Sequence, residues 1–336
     1  MKKTFITLAG LLFTLATIAL AGMFYVHQHV QSFSSSPLSL TEAQTLELTR
    51  GTSFNQFLNE LQQRQLIDET WPAKVLIKLQ PQLADIRSGY YDILPGDSFV
   101  DLVKRLNQGK EKVFSVTLIE GQNINEWRQV LAQTDYTSNE VEDVFNAVLV
   151  KHGDESGLPE GKFYPDTYHY HAGASVQSIV EQSYLKMQQQ LEQIWQNRDT
   201  SIPLKSPYEL LIMASIIEKE TGKASERPWI SAVFTNRLRK GMRLQTDPTV
   251  IYGMGERYQG NITRKDLREH TPFNTYRING LTPTPIAAPS GASLEAAAHP
   301  ADVDYFYFVS RNDGSHVFSR TLAEHNRAVN KYQRNR

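Results

Sequence analysis

The 336-residue chain contains no cysteine, so disulfides, thiolate catalysis, Fe–S clusters and cysteine-bound zinc are all excluded. It also lacks a charge excess. Thirty-five Lys plus Arg face 36 Asp plus Glu, so no global field would draw in nucleic acid or another polyanion. Neither a phosphate-binding glycine loop nor a dinucleotide fingerprint is present. A further absence is local: after Lys2 and Lys3 there is no Asp, Glu, Lys or Arg before Glu42. At 40% hydrophobic and 21% charged overall, the chain has an ordinary globular composition, enough for about two domains.

The charge-free stretch opens with an apolar run over residues 5–26. As a helix rising ~1.5 Å per residue it spans one hydrocarbon core of ~30 Å. Lys2 and Lys3 on its short side predict a cytoplasmic N-terminus, with everything after the run outside. The competing reading is a cleaved signal peptide at Ala19-Leu20-Ala21, but the apolar run continues through Val26 without a break. A retained anchor is therefore expected over 5–26, after a cytoplasmic 1–4. The stretch QSFSSSPLSL within 27–44 reads as a flexible serine-rich tether.

Three segments then share one grammar: a short β-type run, a glycine, a polar cap and apolar residues at helical spacing. Gly51-Thr52-Ser53 precedes Phe54, Phe57, Leu58 and Leu61; Gly96-Asp97-Ser98 precedes Phe99, Leu102, Val103 and Leu106; Gly121-Gln122-Asn123 precedes Ile124, Trp127 and Leu131. With a further short helix at 71–79, the order over 45–94 is β-α-α-β. Such a unit resembles the LysM module, which binds N-acetylglucosamine polymers; a generic α+β scaffold fits the same pattern. The expected fold class is α+β: an N-terminal transmembrane helix, a LysM-like module over 45–118 and a larger catalytic domain over 119–336. Helices are expected from Ser138 to Val150, over 176–195 and from Ser206-Pro207 to about Thr221.

The segment LLIMASIIEKE, residues 210–220, is apolar all round and marks a buried helix. Glu218 at its end lies about 20° from Leu211 on the helical wheel, and such partial desolvation raises a carboxyl pKa and favours a general acid. Glu220, about 160° away, cannot share the same opening. The plainer reading is that both glutamates solubilise a helix end. Polar loops follow at 236–238, 244–249 and 272–276, whose amides, hydroxyls and aromatics suit sugars and also ordinary loop hydrogen bonds. His169, His171 and Asp166 have no third-ligand spacing for a metal. Ser290 lacks the nucleophile elbow and has no local tie to His299 or His316.

The pieces EGKFYPDTY (160–168), ASIIEKET (214–221), NRL (236–238), LQTDPT (244–249), FNTY (273–276), GLTPTP (280–285), and YFYFV through GSHVF (305–318) occur in order. Through them the chain resembles the YceG-like endolytic murein transglycosylases over about 45–325; Thr282 stands where that pattern usually has proline. The resemblance implies that Glu218 is the catalytic glutamate and that the chain is a single-pass protein of the inner membrane. It also implies a periplasmic part that cuts nascent peptidoglycan strands internally, near synthases of the penicillin-binding class. It implies lytic transglycosylation between MurNAc and GlcNAc, with 1,6-anhydro-MurNAc ends; no cofactor or metal is expected, since no ligand motif is present. Gln245, Asp247, Asn274 and Tyr276, with Glu160 and Tyr164, are the candidates for holding the sugar. Two alternatives stand beside this: a muramidase pairing Glu218 with a second carboxylate such as Asp247, and a non-catalytic glycan-binding scaffold.

Overall fold

The computed structural model describes residues 2–138 and 143–334 of a mixed α+β chain. It divides into two compact units, Met1–Phe114 and Ser115–Arg336.

In the first unit, helix α1 (Lys2–Ser35) is apolar from Leu8 onward and long enough to cross a membrane. Its last turns pack on protein: Val30 is buried, the ring of His29 stacks on Trp71 at 5.1 Å, and Phe33 lies 4.9 Å from Phe99. The segment expected as a tether is thus largely ordered. The hydroxyls of Ser34 and Ser35 donate to the Gln31 carbonyl at 2.8 and 2.9 Å, so these serines are accommodated by the helix and do not end it. Beyond the helix, Leu38 is buried and its N–H donates to the Asp97 carbonyl at 2.8 Å.

Next come β1 (Gln44–Leu48), α2 (Phe54–Gln63), α3 (Trp71–Leu79), β2 (Gly89–Ile93) and α4 (Phe99–Gln108). The two strands pair antiparallel from Gln44↔Ile93 to Leu48↔Gly89. Their alternation turns Leu46, Leu48, Tyr91 and Ile93 onto one face, where they meet Phe57, Leu61, Phe99 and Leu106. Ser53 and Ser98 each cap the following helix in a reciprocal capping box, which fixes where the apolar stripe begins.

The second unit contains β3 (Phe114–Leu118), α5 (Ile124–Ala132), α6 (Val144–Lys151), β4 (Asp166–Tyr170), α7 (Val176–Asn197), α8 (Pro207–Glu220), α9 (Arg227–Arg239), α10 (Asp247–Met254), α11 (Gly291–Ala298), β5 (Tyr307–Ser310), β6 (His316–Ser319) and α12 (Leu322–Val329). Strand β3 pairs with β4, and β5 with β6 in antiparallel register. Of the helix expected from Ser138, residues 139–142 lie outside the described residues; α6 starts after Asp143, whose carboxylate caps it. Helix α8 is the centre of this unit. Every residue from Leu210 to Ile217 is buried, against α7, α9 and α11.

Candidate active site

Glu218 sits in the last turn of α8 with its side chain only 6% exposed. Its Oε2 accepts two hydrogen bonds from Ser290, at 2.9 Å from the backbone N–H and 2.5 Å from the hydroxyl. Its Oε1 lies 3.6 Å from Arg227 Nη2, at the start of α9. Ser290 is also the N-cap of α11, so the positive end of that helix faces the carboxyl. The loop before Ser290 is anchored on α8 itself. Buried Ser215 accepts from Ile286 N–H at 3.0 Å and donates to the Ile212 carbonyl at 2.7 Å.

A turn closes the other side. Gly121 N–H donates to the Ala288 carbonyl at 2.8 Å, Ala288 N–H donates to Gln122 at 2.9 Å, and Lys219 Nζ donates to the Gly121 carbonyl at 2.9 Å. A Cβ on Gly121 would stand 3.9 Å from Glu218 Cγ, and its φ of +74° already favours glycine. Tyr164 reaches the same neighbourhood: its hydroxyl would be 2.6 Å from a Cβ at Gly291, the residue after Ser290.

Glu220 occupies the opposite side of α8. It walls a cavity of about 410 Å³ together with Arg237, Gln245, Asp247 and Tyr276, and Glu218 is not among the lining residues. Asp247 accepts from the Tyr276 hydroxyl at 2.6 Å. Burial and this carboxylate hold the Tyr276 phenol well above its ordinary range. Enclosure pushes Glu220 up to about 7; the Asp247 charge adds to this, while the hydroxyl of Thr246, which donates to Glu220 Oε1, opposes it. Gln245 holds a left-handed backbone, φ +51°, and lines the cavity with Asp247.

The structure therefore brings Gln245, Asp247 and Tyr276 together and sets them on another face of α8 from Glu218. Asn274 does not join them. It is fully buried, donating to the Asp266 and Glu269 carbonyls at 3.1 and 2.7 Å and accepting from Tyr276 N–H at 3.0 Å, so its side chain shapes the loop that carries Tyr276. Glu160 lines a separate cavity of about 370 Å³ with Tyr252 and Phe273. It accepts from the Tyr252 hydroxyl at 3.1 Å, and burial pushes its carboxyl up to about 7. Among the described residues, no cluster of three His, Asp or Glu side chains is disposed to hold a metal.

Residues 46–331 match the YceG-like family. The chain belongs to that family. It is 33% identical over 271 residues to the endolytic murein transglycosylase of Bacillus subtilis, covering 73% of each chain. To the endolytic murein transglycosylase of Streptococcus pneumoniae serotype 2 it is 26% identical over 283 residues, covering 73% of this chain and 50% of the pneumococcal one. A crystal structure of a yceG-like protein from Listeria monocytogenes superposes with a TM-score of 0.53 at 28% identity, covering 85% of this chain and 98% of that one.

In this YceG-like chain the partners of Glu218 are what sequence reading missed. Ser290 lies 72 positions away, and its only local signal is the N-cap pattern of α11. Arg227 carries a signal in principle, a cation in the first turn of a helix where the macrodipole disfavours it.

Proposed function

We propose that this chain is a membrane-anchored endolytic lytic transglycosylase that cleaves the MurNAc–GlcNAc bond of peptidoglycan strands, with Glu218 as acid and then base. The observation that carries the reading is the environment of Glu218: an almost wholly enclosed carboxyl clamped at one oxygen by Ser290, with no other carboxyl hydrogen-bonded to it among the described residues. The names of the Bacillus and Streptococcus relatives support the same substrate.

A hydrolytic glycosidase uses two carboxyl groups flanking the bond. One suffices when the sugar supplies its own nucleophile. Both Ser290 donors hold Oε2, which leaves Oε1 as the oxygen that passes the proton. Glu218 gives it to the glycosidic oxygen as the C1–O bond breaks, and positive charge develops at C1 of MurNAc. The resulting carboxylate takes the proton of the C6 hydroxyl as that oxygen closes onto C1, giving the 1,6-anhydro ring and restoring the acid. No water enters. Asp247 lines a cavity that excludes Glu218, which disfavours the two-carboxylate alternative. In this reading Gln245, Asp247 and Tyr276 bind the strand farther along, while Glu160 and Tyr164 shape adjoining surface.

The apolar helix serves as the anchor in this reading, and Lys2 and Lys3 on its short side favour a cytoplasmic N-terminus, with the two units on the outer face of the inner membrane. The β-α-α-β unit is proposed to hold glycan in the manner of a LysM module, and synthases of the penicillin-binding class supply the strand.

The test is product mass. Murein sacculi digested by the full chain are expected to yield fragments ending in anhydro-MurNAc, each one water lighter than a hydrolysis product; reducing ends would overturn the mechanism in favour of a muramidase. The clamp is tested by Ser290→Ala, expected to lower kcat by about tenfold through loss of one donor to Glu218. The same substitution removes the cap of α11 and should cost about 1 kcal/mol in urea unfolding.

A further inference from the structure

We infer that Glu220 is a substrate-binding residue of the cavity it walls, entering as a neutral carboxylic acid whose O–H is donated to an amide or hydroxyl oxygen of a bound N-acetylated sugar. This rests on the proposed glycan substrate and adds a residue that the resemblance does not supply.

The argument is one of donors and acceptors. The carboxyl is enclosed at the end of α8, and Oε1 already accepts from the Thr246 hydroxyl. Among the described residues no cation forms an ion pair with it. Arg237, whose charge opposes the rise of the Glu220 carboxyl without outweighing burial, spends Nε on the Phe306 carbonyl at 2.7 Å and Nη1 on the Leu244 carbonyl at 2.7 Å. The carboxylate of Asp247 lines the same cavity, and like charges so confined favour a proton on one of them. Asp247 is occupied in accepting from the Tyr276 hydroxyl at 2.6 Å; Glu220, enclosed and pushed up to about 7, is the member that keeps the proton.

The other groups facing the cavity agree. His325 on α12 is held neutral by burial and by Arg237, and its buried Nδ1 has no hydrogen-bond partner among the described residues. Tyr307 lies under the Arg237 guanidinium, and His316 on β6 pairs with Glu226 at 2.8 Å. The cavity therefore offers a donor at Glu220, an acceptor at Asp247, an amide at Gln245 and an aromatic ring at Tyr276. That set matches a sugar's hydroxyls, N-acetyl group and ring face, and its volume of about 410 Å³ is ample for one saccharide unit.

The sign of the pH effect follows. Below about 7 the acid donates; above it the group ionises, the donor is lost and a negative charge appears in the cavity. The experiment measures KM and kcat of the full chain on soluble, peptide-free glycan strands from pH 6 to pH 8, for wild type and Glu220→Gln. Wild-type KM is expected to rise about tenfold across that range. In Glu220→Gln, where a neutral amide keeps a donor at every pH, KM should stay near the wild-type value at pH 6, and the KM rise should be absent. A wild-type KM that is flat with pH, or a rise that persists in Glu220→Gln, overturns the inference. The wild-type series needs no variant to fold. Cleavage without the KM rise defeats this inference alone, whereas no cleavage at any pH defeats the proposed function and this inference with it.

Discussion

Glu218→Gln is expected to lower the turnover of glycan cleavage by roughly 10³-fold with little change in KM or in the unfolding midpoint. Glutamine has the shape of the glutamate and keeps an oxygen to accept from Ser290 N–H and Oγ, so the loop at 286–290 and the cap of α11 remain in place. What it lacks is a proton to give. A positioned acid or base contributes about 10²–10⁴-fold, and in the proposed mechanism one residue serves both halves of the reaction, which places the expected loss well inside that range. Counting anhydro-MurNAc ends per enzyme by mass spectrometry, beside an unfolding curve of the same sample, reads both quantities. Full activity in the folded variant would mean that some other group protonates the leaving oxygen, and the single-acid mechanism would fall.

How much of this was legible follows from the range of each interaction. The caps at Ser53, Ser98, Asn123 and Ser206 bond to amides two or three residues away, so their helix starts could be read from the sequence. The burial of α8 and the divergence of Glu218 from Glu220 followed from one period of ~100° per residue. The tether was misread because serine composition favours loops on average, yet Val30, Phe33 and Leu38 had a hydrophobic surface to meet. Helix α10 was hidden because Asp247-Pro248 serves equally as a turn and as a helix start. At the site, Ser290 meets Glu218 across 72 positions, a distance at which no local pattern operates. Asn274 shows the converse limit: an amide suited to a sugar is equally suited to three bonds within its own loop, and only burial separates the two. The catalytic role proposed for Glu218 came from family resemblance, since periodicity left a solubilising helix end as the plainer reading.

Arg237→Leu is expected to lower the stability of the second unit by about 3 kcal/mol, seen as a shifted midpoint in urea unfolding at unchanged slope. Arg237 is 7% exposed on α9 and has no carboxylate partner; its guanidinium instead gathers backbone carbonyls. Nε donates to Phe306 at 2.7 Å, while Nη1 donates to Leu244 at 2.7 Å and Arg243 at 3.2 Å. The adjacent Asn236 works the same way, donating to Val303 and Tyr305 at 2.8 and 3.1 Å. The Asn-Arg-Leu motif thus ties the approach to β5 onto α9 and fixes the strand of chain that delivers Gln245 and Asp247. Leucine restores part of the volume and ends the desolvation of a charge, but it strands two short-bonded buried carbonyls, each costing about 1–3 kcal/mol. The release of the buried charge offsets part of that sum, which is why the expected loss lies in its lower half. Because the loosened segment carries Gln245 and Asp247 and not Ser290 or Arg227, the surviving folded enzyme should show its defect in KM, with kcat nearly intact. A variant within 0.5 kcal/mol of wild type would mean that water takes up the stranded carbonyls, and that the motif is not what holds this side of the cavity together.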